Sequence, residues 1–274
     1  MNAILKYPGG KWNLAEWISS YFPEHKVYLE PFCGSAAVFF TKAAVPYETI
    51  NDIDGRIHNL FHVLRDKPDE LAWLLECTPF ARREFESVHE PRAGEQIQLT
   101  GNDVEDARRF LIRCNQGFGS KLADRVGWKN TKSSAGPINA QVWGKMPEIV
   151  YPICKRLKEA QIENRPAGEL IPKYNSPDCL IYADPPYTPD VRRGRIYSFE
   201  MLDIKEHERL LQVLLKHRGP VVLSGYDNEM YNDLLKGWST ATKQTTTNSA
   251  NVRTEKLWMN FEIARQLGFD AMEI

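Results

Sequence analysis

From about residue 56 to about residue 160 the chain offers no convincing strand, while on both sides of that interval short apolar runs alternate with helical patterns. That interruption predicts one α/β sheet split in sequence by a helical insertion. On its N-terminal side, VYLEPF (27–32) reads as a buried strand, Cys33-Gly34-Ser35 as a turn and AAVFFTKAA as an apolar helix. ETI (48–50) is a second strand that ends in Asn51-Asp52, completing the first β-α-β unit of an open parallel sheet. After a helix expected near 147–159, CLIYAD (179–184) resumes the alternation. Asp203 and Glu206 then form a capping box before a helix with Leu210, Leu211, Leu214 and Leu215 on one face. PVVLSG (220–225) is a further buried strand, and the polar TATKQTTT with the apolar KLWMNFEI reads as a closing antiparallel pair. Residues 1–55 and 160–274 are therefore expected to form one domain, and 56–159 the insertion.

A chain of 274 residues can bury a full core of this kind. Its five cysteines, Cys33, Cys77, Cys114, Cys154 and Cys179, are scattered, without the spacing of a metal knuckle or a disulfide framework, so no metal is expected. The opening MNAILKYPGGKW lacks a signal-peptide pattern and no apolar run approaches a membrane span, so the chain is expected to be cytoplasmic. The net charge of -1 gives no global argument for a polyanionic partner. Locally the balance differs: Arg108, Arg109, Arg113, Lys121, Arg125, Lys129 and Lys132 face the single acid Asp124 between 108 and 132. From charge alone this is either a nucleic-acid contact or a solvated helical face.

Two turns carry the chemistry. A glycine just past a strand, as at Gly34, lets a ligand approach the backbone, and Asp52, eighteen residues on, stands where an acid can bind the hydroxyls of an adenosine ribose. Structural punctuation and a solvated acid would leave the same pattern. LIYADPPYTP (180–189) says more. Asp184 falls at the carboxyl end of a buried strand, and Pro185 and Pro186 then remove two amide donors. What is left, a carboxylate, rigid carbonyl acceptors and the flat face of Tyr187, suits a ring that carries an exocyclic amino group. The plainer alternative is a proline turn with a packed tyrosine.

DPPY at 184–187, with EPFCGSAAVFF upstream, KYPGGKW near the start and TEKLWMNF near the end, closely resembles the Dam-like family of DNA adenine methyltransferases, and the motifs occur in that family's order. The resemblance, which runs from residue 4 to about 263, implies a Rossmann-like methyltransferase sheet with a helical target-recognition insertion. It also implies S-adenosylmethionine as cofactor and double-stranded DNA as partner, with the methyl group delivered to the 6-amino group of a flipped-out adenine. No obligate protein partner is inferred. Position by position, it implies that Tyr7, Lys11, Phe32, Gly34, Asp52 and Asp184 meet the cofactor. Asp184, Pro185, Pro186 and Tyr187 would form the catalytic pocket. Where the family's turn is often FxGxG, this chain has Ala36 at the second glycine. The expected DNA contacts are Arg113, Asn115, Lys121 and Arg125 in the insertion and Arg192 and Arg195 after Tyr187. An RNA amino-group methyltransferase and a DNA-binding module without turnover are the competing readings.

Overall fold

A computed structural model of the chain describes residues 3–88, 99–118, 126–130, 138–188, 201–246 and 252–263. Among the described residues seven strands form one sheet: β1 (Val27–Glu30), β2 (Tyr47–Asn51), β3 (Gln161–Glu163), β4 (Cys179–Ala183), β5 (Val221–Gly225), β6 (Ser239–Thr246) and β7 (Val252–Met259). Their order is β3-β2-β1-β4-β5-β7-β6. The first five run parallel, and β7 lies antiparallel to both β5 and β6. This is the expected Rossmann-like sheet, closed by the expected antiparallel pair. β4 and β5 are buried at all five positions each, which is why their sequences read as continuous apolar runs instead of alternating ones.

Strand alternation sorts the core into two layers. Tyr28, Leu180, Tyr182, Val222 and Leu257 face one cluster. Leu29, Ile181, Ala183, Leu223 and Trp258 face the other, against the short helix α9 (Ala167–Leu170), α10 (Ile204–Leu215) and α11 (Glu229–Leu234). Asp203 caps α10 by accepting from the Lys205 amide. His207, fully buried in that helix, is tied to the Tyr231 hydroxyl at 2.9 Å and the Met201 carbonyl at 3.1 Å, a structural role.

The first layer holds α1 (Ala15–Ser19), α2 (Ala37–Thr41) and the helices between β2 and β3. These are α3 (Gly55–Asp66), α4 (Pro68–Glu76), α5 (Arg82–Ser87), α6 (Asp103–Gln116), α7 (Asn139–Gly144) and α8 (Met146–Leu157). Asp54 caps α3, and Asn102 caps α6 by accepting from two amides. Phe61, Phe110, Leu111, Ile153 and Leu157 of these helices join the same cluster as Phe39 and Ile50, so the helical interval shares its core with the sheet. Burying each such side chain stabilises by about 1.5–3 kcal/mol, enough to hold these helices on the sheet without a core of their own. Beyond α6 the chain turns back on itself: the Phe118 amide donates to the Gly127 carbonyl and the Lys129 amide to the Gln116 carbonyl.

Among the described residues no helix is long and apolar enough to cross a membrane, and no group of three or more His, Cys, Asp or Glu side chains could hold a metal ion.

Candidate active site

Because β2 lies on one side of β1 and β4 on the other, the chain connections diverge between β1 and β4, and a cleft opens at their carboxyl ends. A cavity of about 810 Å³ occupies this place, within the usual size of small-molecule and cofactor sites. Asp52 and Ile53 line one end, Phe32 and Gly34 the middle, and Lys11, Asp184 and Pro186 the other end.

The turn after β1 is shaped by local sterics. Gly34 has φ +49°, and a side chain there would meet the Tyr7 ring at 3.1 Å. Glycine at this position therefore seats Tyr7 against the turn. Ala36 also adopts the left-handed conformation, at φ 52°, where the related turn has glycine. The Gly34 amide donates to one Asp52 oxygen at 2.9 Å and the Asp54 amide to the other at 2.9 Å. Burial pushes the Asp52 carboxyl up to about 7 against the pull of these two amides. Burial likewise pushes Glu30, at the end of β1, up to about 8, although the Tyr28 hydroxyl donates to it at 2.6 Å. Cys33 is buried and its thiol is held well above its usual range, chiefly by burial, so it offers no thiolate nucleophile.

At the other end, Asp184 closes β4 with both carboxylate oxygens engaged. Lys11 Nζ reaches Oδ2 at 2.9 Å and the Ser224 hydroxyl donates to Oδ1 at 2.9 Å. Ser224 sits on β5 beside the Tyr182 hydroxyl, 3.1 Å away. Lys11 Nζ also donates to the Tyr187 hydroxyl at 2.6 Å, and that hydroxyl donates to Glu255 on β7 at 2.6 Å. The Tyr187 ring packs edge-to-face with Tyr226 at 4.4 Å, and the Arg253 guanidinium donates to the Tyr226 hydroxyl at 2.9 Å.

Tyr7, Lys11, Phe32, Gly34, Asp52, Asp184 and Pro186 thus line one cavity, with Pro185 buried behind and Tyr187 braced beside it. Lys11, assigned by resemblance to the cofactor, is the hub that joins Asp184 to Tyr187. Sequence reasoning missed Ser224, Glu255, Tyr226 and Glu30. Two of these had a legible signal, since Ser224 ends a buried strand next to that of Asp184 and Glu255 lies in TEKLW.

The expected DNA contacts divide. Lys121, Arg125, Arg192 and Arg195 lie outside the described residues. Arg113 and Asn115 need correcting, because both are buried, at 4% and 7% exposure. The Arg113 guanidinium lies 6.0 Å from the Phe85 ring centre, and the Asn115 amide donates to the Ile4 and Leu111 carbonyls. They occupy the buried face of an amphipathic helix, where a polar residue at apolar spacing packs and finds backbone partners. Arg108 and Arg109 are paired with Glu105, and Arg108 also with Glu84.

The chain is 27% identical over 251 residues to a DNA N-6-adenine-methyltransferase of Escherichia phage P1, covering 84% of this chain and 31% of that protein, so it spans about a third of that relative. It is 27% identical over 250 residues to a DNA adenine methylase of Vibrio cholerae, covering 86% and 85% of the two chains. A Type II methyltransferase of Lactococcus lactis subsp. cremoris, M1.LlaDCHI, is 26% identical over 253 residues, covering 87% and 86%. The model of the D12 class N6 adenine-specific DNA methyltransferases matches residues 7–249, which takes in the glycine turn, the helical interval and the Asp184 loop together, and the chain belongs to that family.

Proposed function

We propose that this chain methylates the 6-amino group of an adenine turned out of duplex DNA, with S-adenosylmethionine as donor and Asp184 at the reacting amine. One observation carries the reading: Asp184 is held at both oxygens, by Lys11 and Ser224, at the end of a cavity that continues to Asp52.

The residues present fit the donor. Asp52 offers a half-buried carboxyl group for ribose hydroxyls, Gly34 with the Tyr7 ring packed against it keeps side-chain bulk off the turn between, and two carboxylates around Lys11 leave one net negative charge at the far end. When bound, S-adenosylmethionine supplies a methyl group on a positively charged sulfur. The protein's part is positioning and electrostatics. The adenine amino lone pair is delocalised into the ring, and hydrogen bonds from its two hydrogens to Asp184 and the Pro185 carbonyl favour the pyramidal nitrogen that can attack. Lys11 and Ser224 keep the carboxylate from rotating away. Turning the base out costs a few kcal/mol, which stacking on Tyr187 and the hydrogen bonds at Asp184 offset.

Duplex contact is proposed for the chain that returns between Gly117 and Trp128, with Lys121 and Arg125, and for Arg192 and Arg195. Asn115 supports this placement, because its bond to the Ile4 carbonyl sets the base of that return beside the segment carrying Tyr7 and Lys11. Lys6, held below its usual range by burial and by Lys129, adds positive potential on the same side. A cytoplasmic location is proposed with this reading, since a DNA-modifying role needs access to the DNA.

The test is transfer of labelled methyl to unmethylated duplex DNA, with the modified base identified. Label on adenine N6, reduced about a thousand-fold or more in Asp184→Ala, is expected. Label on an RNA competitor in preference to the duplex, or none despite donor binding, overturns the proposal.

A further inference from the structure

Asp184 is not the sole acid at Lys11. Glu255, 4% exposed, lies 3.5 Å from Lys11 Nζ and receives the Tyr187 hydroxyl at 2.6 Å. The antiparallel register of β7 on β5 pairs Gly225 with Lys256, which puts Glu255 just past the end of β5. Arg253, two residues earlier in β7, is committed to Tyr226. A single carboxylate would suffice to neutralise Lys11, and this cluster has two. The surplus negative charge is buried beside the reacting position, which is costly unless a positive charge arrives there.

We propose that Glu255 is the standing counter-ion of Lys11, and that it thereby frees Asp184 to take the proton that the methylated amine must lose. The inference rests on the adenine-methylating reading above. Methyl transfer leaves the 6-amino nitrogen with one methyl, two hydrogens and a positive charge. One N–H bond then breaks with its electron pair returning to nitrogen, and the proton passes to an Asp184 oxygen. Asp184 becomes a neutral acid. With Asp184 alone, Lys11 would at that moment be a buried ammonium without an anionic partner; Glu255 and the Tyr187 hydroxyl keep it compensated. The proton departs to water in the cavity when the product leaves. Glu255 is thus a positioning residue, acting on the amine through Lys11 and Asp184.

The charged and titratable groups around Glu255 are Lys11 from the N-terminal segment, Asp184 and Tyr187 from the loop after β4, Tyr182 on β4, and Lys243, its register partner on β6, whose ammonium lies 5.7 Å from the Trp17 ring centre, with Glu30 of β1 facing Asp184. Burial holds Glu255 above the usual carboxylate range, against the opposing pull of Lys11. As pH falls and Glu255 takes a proton, Asp184 becomes the only counter-ion of Lys11 and loses its freedom to accept another.

The experiment compares wild type, Glu255→Gln and Glu255→Asp in single-turnover transfer to duplex DNA at saturating donor, across pH. Carboxyl NMR of the ligand-free wild type, with glutamate labelled at its side-chain carbon and assigned by the Gln variant, gives the Glu255 midpoint independently of activity. The wild-type rate is expected to rise with pH through that midpoint. Glu255→Gln is expected to stay flat there, about 100-fold below the wild-type upper plateau, with donor and DNA affinities changed less than about threefold. Glu255→Asp should recover part of the pH-dependent rise. A Glu255→Gln profile that keeps the wild-type shape at a uniformly lower rate, or one at the wild-type rate, overturns the inference and leaves the proposed function intact. If the Gln variant does not fold, the Asp variant, which also lacks the labelled glutamate signal, assigns the resonance and the wild type decides: a Glu255 carboxyl that does not titrate alongside the rate also overturns it. Absence of adenine label in the wild type would remove the functional reading and this inference together.

Discussion

Among the described residues, two buried clusters each share one ion between two of opposite charge, and they differ in what they face. In one, Lys11 is shared by Asp184 and Glu255; in the other, Glu48 is shared by Lys42 and Arg156. Each carries one unbalanced charge, of opposite sign. The second is sealed by aromatic rings: Lys42 lies 4.3 Å from the Tyr28 ring centre and Arg156 3.8 Å from that of Phe39. Its cations are compensated by π faces and by backbone carbonyls, and its effect is to pin α8 to β2. The first borders the cavity through Lys11 and Asp184, so its imbalance remains available to a ligand. Burial of charge is therefore not by itself a mark of function; burial against an open cavity is. Glu30 stands between the two, feeling both Asp184 and Lys42.

The two clusters should respond oppositely to loss of their acids. Burial pushes Glu48 up, yet its bonds from Arg156 and Lys42 hold it below the usual carboxylate value. Glu48→Ala leaves two buried cations and should cost about 3–5 kcal/mol in denaturant unfolding. Asp184→Ala leaves Lys11 with Glu255 and should change stability by no more than about 1 kcal/mol while abolishing transfer. If Asp184→Ala unfolds the protein as Glu48→Ala does, the distinction between a pinning cluster and a working one fails.

The sequence discloses these clusters unequally. Asp184 is legible because a strand end, two prolines and a tyrosine converge on it, and each restricts the chemistry of its neighbour. Lys11 is legible only through resemblance, since nothing in KYPGGKW fixes that its ammonium travels to β4. Ser224 becomes a partner of Asp184, and Glu255 of Lys11, through the order of strands β4-β5-β7: a strand end and a motif mark the two residues in the sequence, but strand order, a long-range property, decides whom they meet. The cluster at Glu48 is equally hidden: Lys42, Glu48 and Arg156 read as ordinary surface charges until α8 folds back on the sheet. Strand and helix identities were readable because apolar period is local.

Arg113 extends the comparison to a buried cation outside both clusters. Read from charge it belongs with Lys121 and Arg125 as a DNA contact, but it is buried, with its guanidinium 6.0 Å from the Phe85 ring centre. Arg113→Ala should cost about 1–3 kcal/mol through lost packing of the alkyl stem and stacked head. The dependence of DNA affinity on salt should not change, whereas removal of a phosphate contact lowers that slope by about one. A reduced slope with unchanged stability would return Arg113 to the DNA surface.

The smallest effect is expected in the turn between the cavity and the core, at Ala36. Its left-handed backbone costs about 1–2 kcal/mol relative to glycine. Ala36→Gly removes that strain, but it also removes a fully buried methyl group worth about 0.8 kcal/mol and returns about 0.4–1 kcal/mol of freedom to the unfolded chain. These terms nearly cancel, so denaturant unfolding should shift by less than about 0.5 kcal/mol, with donor affinity unchanged. A gain beyond 1 kcal/mol, on the scale of that strain, would show that the turn beside the cavity holds strain that the core does not offset. A comparable loss would show that the alanine methyl is part of the packing beneath the turn, and that this chain keeps alanine there for the same reason it buries Lys42 and Arg156 against aromatic rings: core contact compensates a locally unfavourable choice.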